Sequence, residues 1–405
     1  MAAYTKAPAK ATAKPTPFTA KVSDEKLKQM LDLVKLSPIG PESWENLDES
    51  RTWGMNRKWL SKAKDHWESK FDWRATEKRI NSFPNYTLPI RDDDGSEYTM
   101  HFIALYSEKE DAIPIAFYHG WPGSFLEFLD LLDLIKQKYT PENLPYHIIV
   151  PSLPGYTFSS GPPLNKDCSR IEMARVCQKL MHQLGFSDGY IAQGGDLGSF
   201  VARQSAQQDA ACKAFHVNMC MIPPPENKDT LPMDELEIKA APKGKRWIDY
   251  GTSYGQEHGT RTGTIGLVLS ASPLAMLAWI GEKFLEWSDQ DPPVDQILES
   301  VSLYWLTDTF PRCIYPYRSI YGPNHAAINA ELEKTKEKTK PMGYSWFPHE
   351  LVPTPVSWVA TSGNLVWYKR HASGGHFAAM ERPKELFDDV EEFVKVAWNS
   401  HGSKI

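Results

Sequence analysis

An α/β architecture is predicted for this chain: a mostly parallel central sheet with an inserted helical cap and an N-terminal meander. Three observations carry that reading. From Ile113 onward, short apolar runs alternate with helix-period segments, as parallel strands joined by crossovers do. After Cys220 the alternation stops, and it resumes near Lys340. Between those limits of the first block, Asp188 to Arg203 reads DGYIAQGGDLGSFVAR: a strand-like run, a Gly-rich turn, and a helix-like run at once.

The 405 residues are long enough to bury a large core, and the balance of 41% hydrophobic, 24% charged and net charge −6 is that of a soluble globular protein. A weakly acidic chain is a poor partner for nucleic acid or an anionic membrane. The 14 Trp, 17 Tyr and 17 Phe suit an apolar pocket, although most such rings pack in cores. Cys168, Cys177, Cys212, Cys220 and Cys313 are odd in number and irregularly spaced, which predicts free thiols in a reducing, cytoplasmic compartment. No apolar run reaches the roughly 18 residues of a membrane span. The closing Ser403-Lys404-Ile405 approximates the peroxisomal Ser-Lys-Leu address and departs from it at the last position.

Residues 1–22 are Ala, Lys, Thr and Pro with no acid, which predicts a disordered arm. A mitochondrial presequence is disfavoured by the absence of Arg and the scattered prolines. Residues 23–85 form the meander. Ser23 opens a helix with Leu27, Met30, Leu31 and Val34 on one face, stopped by Pro38, and a Trp-rich helical stretch follows. Residues 86–220 are the first part of the core. It begins with two alternating runs around Asp94-Gly95, a hairpin signal. Strands are expected at Ile113–Tyr118, His147–Pro151, Gly189–Gln193 and Lys213–Met219, with helices at Ser124–Gln137 and Ile171–Leu184. Residues 221–338 are the cap. Residues 339–405 complete the core with strands at Lys340–Phe347 and Leu365–Lys369 and a closing amphipathic helix at Pro383–Trp398.

Gly194-Gly195-Asp196-Leu197-Gly198 lies where a strand meets a helix, the context of a nucleophile elbow, whose turn admits only small residues two positions either side. Asp196 occupies the nucleophile seat. A carboxylate there attacks carbon and leaves an alkyl ester, whereas a serine would make an esterase; a helix-capping Asp in a Gly-rich turn is the ordinary alternative. After the strand ending at Tyr118 comes His119-Gly120-Trp121-Pro122-Gly123-Ser124. A loop at that place donates one backbone N–H to an oxyanion hole and the residue after the nucleophile donates the other, here Trp121 and Leu197. His119 reads as a brace for this loop, because the base belongs last in chain order. That base is His376, in a Gly374-Gly375-His376-Phe377 loop between the last strand and the last helix. The acid follows the penultimate strand, at Glu350 in Trp346-Phe347-Pro348-His349-Glu350-Leu351, and orients the imidazole. Glu381 is a rival with a helix-start alternative. His349-Glu350 also begins like a zinc HExxH, but position 353 is Pro.

Together HGWPGS, GGDLGSFVAR, FPHEL and GGHFAAMERP resemble the microsomal-type epoxide hydrolases, particularly soluble fungal members, along nearly the whole chain. The resemblance implies the α/β-hydrolase fold. It also implies two cap tyrosines that hold the epoxide oxygen, which fall on Tyr254 (Thr252-Ser253-Tyr254-Gly255) and Tyr317 (Tyr315-Pro316-Tyr317-Arg318). Tyr315 and Tyr321 compete with Tyr317. It implies an epoxide and water as substrates, no metal or organic cofactor, and a homodimer formed through cap and meander.

The expected reaction has two steps: Asp196 opens the ring while Tyr254 and Tyr317 protonate the oxygen, then water activated by His376 and Glu350 cleaves the ester to a vicinal diol. Haloalkane dehalogenation shares the Asp nucleophile, but that class places Trp after it, where Leu197 stands. A catalytically inactive hydrolase fold used as a binding module is the other alternative. Asp196, Glu350 and His376 in register argue against it.

Overall fold

The structure is a computed structural model and describes residues 3–334 and 339–399. Nine strands form one sheet: β1 (Thr16–Phe18), β2 (Asn85–Arg91), β3 (Glu97–Leu105), β4 (Ile113–Tyr118), β5 (Tyr146–Pro151), β6 (Tyr190–Gly194), β7 (Cys212–Val217), β8 (Pro341–Trp346) and β9 (Asn364–Arg370). Their spatial order is β1-β2-β3-β5-β4-β6-β7-β8-β9. The pairs from β1 to β5 are antiparallel, and those from β5 across to β9 are parallel. Every residue of β5 and β6 is buried, which is why these strands read as continuous apolar runs without alternation. Gly95 adopts φ +87° in the β2–β3 turn, where a side chain would be strained.

Helices Leu129–Lys138, Arg170–Gln183 and Asp196–Gln208 cross over between the parallel strands, and Pro383–Asn399 packs on β7, β8 and β9. The expected helix from Ser124 begins as a 3-10 turn, Phe125–Phe128, and becomes α-helical at Leu129. Between β7 and β8 the chain is mostly helical, with Ser253–Thr260, Pro273–Trp287 and Val294–Leu306 supplying Tyr254, Leu277, Ile280, Trp287 and Tyr304 to the interior. Residues 335–338, the end of the expected cap, and the Ser403-Lys404-Ile405 address lie outside the described residues.

Residues 3–22 depart from the disorder that their composition predicts. β1 pairs with β2, Thr16 opposite Thr87. The Phe18 ring packs against His101 at 5.0 Å and Phe158 at 4.9 Å. The Tyr4 hydroxyl donates to the Tyr139 carbonyl, and the Thr12 N–H donates to Gln183 O at 2.9 Å. The arm has no core of its own; it finds backbone partners and an apolar seat on an edge that the rest of the chain supplies, which composition cannot register.

Behind the arm, Ser23, Asn56 and Asp72 cap helices Asp24–Leu36, Arg57–Ser69 and Trp73–Ile80. Met30, Val34, Trp67 and Trp73 are among the meander's buried residues, whereas Trp44 and Trp53 stay exposed and pack on each other. All five cysteines are buried and unpaired, as their spacing predicts. Among the described residues no single helix is long and apolar enough to cross a membrane.

Candidate active site

Asp196 sits at the C-terminal end of the central strand β6, at the first position of the helix Asp196–Gln208. Its φ is +45°, a left-handed conformation that a non-glycine residue adopts at a cost. The turn is closed so tightly that a Cβ at Gly194 would lie 2.1 Å from Gly198 O, and one at Gly198 would lie 2.0 Å from Tyr118 O. Only hydrogen fits at either place. The carboxylate is thereby lifted off the sheet edge, as the turn's letters predict.

Trp121 donates its backbone N–H to Asp196 Oδ1 at 2.8 Å. Leu197 is the second residue of the helix, so its N–H is one of the first-turn amides with no intrahelical acceptor. His119 is the brace that its position suggests. Its Nδ1–H donates to Gly120 O at 3.0 Å, and its Nε2 accepts the Leu153 N–H at 3.1 Å. Burial holds its pKa down at about 4, so the ring is a neutral, fully used hydrogen-bonding group.

His376 Nε2 stands 3.3 Å from Asp196 Oδ2, and His376 Nδ1 is 2.6 Å from Glu350 Oε1. Burial opposes a charge on this imidazole, but the charges of Glu350 and Asp196 and their hydrogen bonds outweigh it and raise its pKa well above the ordinary value. The two loops that meet here are tied together: the His349 N–H donates to Gly374 O at 3.1 Å, and Glu350 Oε1 also accepts the Leu351 N–H at 2.6 Å. From the cap side, Trp287 O accepts the His376 N–H at 3.0 Å and the indole meets the imidazole edge-on at 5.1 Å.

Over Asp196 hang two cap phenols. Tyr254 comes from helix Ser253–Thr260 and Tyr317 from the turn Tyr315–Tyr317, and their hydroxyls lie 3.5 Å apart. Tyr254 stacks on the Trp121 indole at 5.0 Å and 14°, and Tyr317 meets the same indole at 88°. Both phenols are pushed well above 10, Tyr254 by burial and the Asp196 charge, Tyr317 by burial and then by Tyr254 and Asp196. Asp196, both tyrosines, Phe200, Trp247 and Tyr321 line a cavity. A second chamber also reaches Asp196, and this one carries His376 in place of the tyrosines.

An N-terminal segment, residues 15–128, matches the family described as "Epoxide hydrolase N terminus", and residues 113–244 match "alpha/beta hydrolase fold". A Dothistroma septosporum protein named "Putative epoxide hydrolase" is 51% identical over 407 residues, covering 100% of this chain and 95% of that protein. The solved structure of Aspergillus niger epoxide hydrolase is 48% identical, covers 98% of this chain and 100% of its own, and superposes with a TM-score of 0.91. This chain belongs to the epoxide hydrolase family. Epoxide hydrolase 1 of Oryctolagus cuniculus is 30% identical over 93% of this chain and 88% of that protein.

In this epoxide hydrolase two of the three competing side chains, Tyr315 and Glu381, are occupied elsewhere. The Tyr315 hydroxyl donates to Pro154 O at 3.2 Å, whereas Tyr321 does line the tyrosine cavity. Glu381 accepts N–H groups from Phe377 at 3.1 Å and Asp289 at 2.7 Å, a brace for its own short helix. Three neighbours were not singled out from sequence. His258, one turn after Tyr254, is buried and neutral, accepts the Trp279 indole N–H at 3.0 Å, and meets Trp121 and Tyr317 edge-on. Lys283 holds its ammonium 4.9 Å from the Tyr254 ring centroid. Glu127 faces the second chamber. The four-residue spacing of Tyr254 and His258 was a readable signal for a shared helix face; nothing local distinguishes Lys283 or Glu127 from surface charge.

Proposed function

We propose that this epoxide hydrolase works through a covalent Asp196 alkyl ester, with Tyr254 and Tyr317 as proton donors, His376 as base and Glu350 as its orienting acid. One observation carries the reading: Asp196 lies between two phenols on one side and a carboxylate-backed imidazole on the other. Oδ1 is held by the Trp121 N–H, which leaves Oδ2 to attack an epoxide carbon. The C–O bond breaks and the departing oxygen takes a proton from the tyrosine pair. Esterification removes the Asp196 charge. That same charge keeps the phenols reluctant to ionise and His376 reluctant to release its proton. Its loss therefore strengthens the acids and frees the base in one event.

Water, deprotonated by His376, then adds to the ester carbonyl carbon. The oxyanion on Oδ1 meets the Trp121 and Leu197 N–H groups, each such donor contributing about 3 kcal/mol. Collapse breaks the bond to the diol oxygen, which takes the proton from His376, and the acid proton left on Asp196 returns to the tyrosinate, so a vicinal diol is freed and the carboxylate restored. The aromatic walls of the tyrosine cavity suit an epoxide with an apolar substituent.

The test is intact-mass spectrometry of His376→Gln exposed to a panel of epoxides. The expected result is a stable gain of one substrate mass, abolished by Asp196→Asn. Turnover at the native rate with no adduct would remove His376 and the ester from the mechanism.

A further inference from the structure

Two enclosed spaces meet at Asp196, and they differ in chemistry. The tyrosine cavity is mostly aromatic and aliphatic. The second chamber is bounded by the backbone of Gly120 and Trp121, by Asn218 and His376, and by the carboxylate of Glu127. The hydrolytic water needs access to His376, and of the two spaces it is the second that His376 lines.

Glu127 belongs to the turn Phe125–Phe128, whose Phe125 and Phe128 anchor it in the core on either side. Its letters, Ser124-x-x-Glu127, are those of a helix capping box, a device that serves at helix starts in solvent. The Ser124 hydroxyl accepts from the Leu126 N–H at 3.2 Å, and the Glu127 carboxylate, which the Ser124 N–H also reaches, lines the second chamber. Its Oε1 lies so close over Gly123 that a Cβ there would fall 1.4 Å away, so the glycine makes the room this carboxyl occupies. Burial pushes its pKa up to about 8; the His376 charge and the Ser124 N–H act the other way, Asp196 and Glu381 with burial. A half-buried carboxyl with no ion-pair partner among the described residues, opening on a space large enough for water, is where an ordered water gains its hydrogen bonds.

We propose that Glu127 is the positioning residue for the hydrolytic water, holding it in this chamber between His376 and the ester carbonyl of Asp196; this rests on the covalent-ester reading above. The carboxyl offers the water one hydrogen bond and is unchanged by the step. The water's proton passes to His376 Nε2 and its oxygen bonds to the ester carbonyl carbon. Collapse of the adduct breaks the bond to the diol oxygen, which takes that proton back. The enzyme thus alkylates from one chamber and hydrolyses from the other.

Single-turnover quench with styrene oxide, read by intact mass, separates the two rates. Glu127→Leu is expected to alkylate at the native rate and to lose on the order of 10²-fold in ester hydrolysis, with kcat and KM falling together as ester accumulates. Glu127→Gln, which keeps the shape and a hydrogen bond, is expected to restore most of that loss. It should also lack the pH dependence that titration of the Glu127 carboxyl near about 8 is expected to give hydrolysis by the native enzyme. Native ester hydrolysis in Glu127→Leu, or a parallel fall of both rates in both variants, would overturn the proposal. A His376→Gln control without adduct would instead overturn the covalent reading, a different result from an adduct that Glu127→Leu hydrolyses normally.

Discussion

Trp121 serves Asp196 and Tyr254 at once: its backbone N–H donates to Asp196 Oδ1 at 2.8 Å while its indole stacks on the Tyr254 ring at 5.0 Å. Asp196 on the sheet and Tyr254 on the cap are therefore referenced to one residue. Replacing the indole disturbs the cap tyrosine and leaves the backbone donor in place. Trp121→Ala is expected to slow alkylation by about tenfold or more while altering ester hydrolysis much less, measured by pre-steady-state quench.

On the proposed mechanism the phenols act in the first step alone. Tyr317→Phe and Tyr254→Phe should each slow ester formation, and the double variant by on the order of 10²–10⁴-fold. Ester hydrolysis measured on preformed adduct should be unaltered. A native alkylation rate in Tyr317→Phe would leave that tyrosine a packing residue.

Charge on His376 links stability to pH. Its pKa is raised in the folded state, so the stability it contributes is fully present below about 6.5 and is lost as pH rises through the raised value. Thermal melts of native protein and His376→Gln should therefore converge as pH climbs from about 7 to about 10.

Glu127 is also raised, from 4.5 to about 8, and the sign gives a different experiment. A carboxyl that prefers its proton when folded favours folding less and less as pH rises from its unfolded value to its folded one. Glu127→Gln should melt level with native protein near about pH 4 and above it at about pH 8.

The elbow tolerates no added atom. Gly198→Ala drives a methyl into Tyr118 O and should cost at least about 1–3 kcal/mol in urea unfolding. Gly263→Ala, with nothing within 4 Å of the new methyl and a helix around it, should gain about 0.5–1 kcal/mol.

Legibility followed the range of the interaction. Asp196 could be read from five consecutive residues, because the elbow is a local turn whose sterics demand glycine two positions to either side. The order nucleophile, acid, base and the strand rhythm of β4 to β9 were likewise readable, since strands and their following loops repeat along the chain. Residues 3–22 misled because low hydrophobicity describes what a segment can bury alone, while Tyr4 and Phe18 are held by surfaces made elsewhere.

By itself, then, the amino-acid order specified the α/β architecture and marked Asp196, Glu350 and His376, since each follows a strand of the parallel sheet, Asp196 at the head of a helix and the other two in loops. What only the tertiary structure decided is which side chains share a space. Tyr315 turns to Pro154 while Tyr317 turns to Tyr254, though only Pro316 separates them. Glu127 lines the chamber of a histidine more than half the chain away. Such choices depend on packing between segments brought together by folding, and no local pattern of residues encodes them.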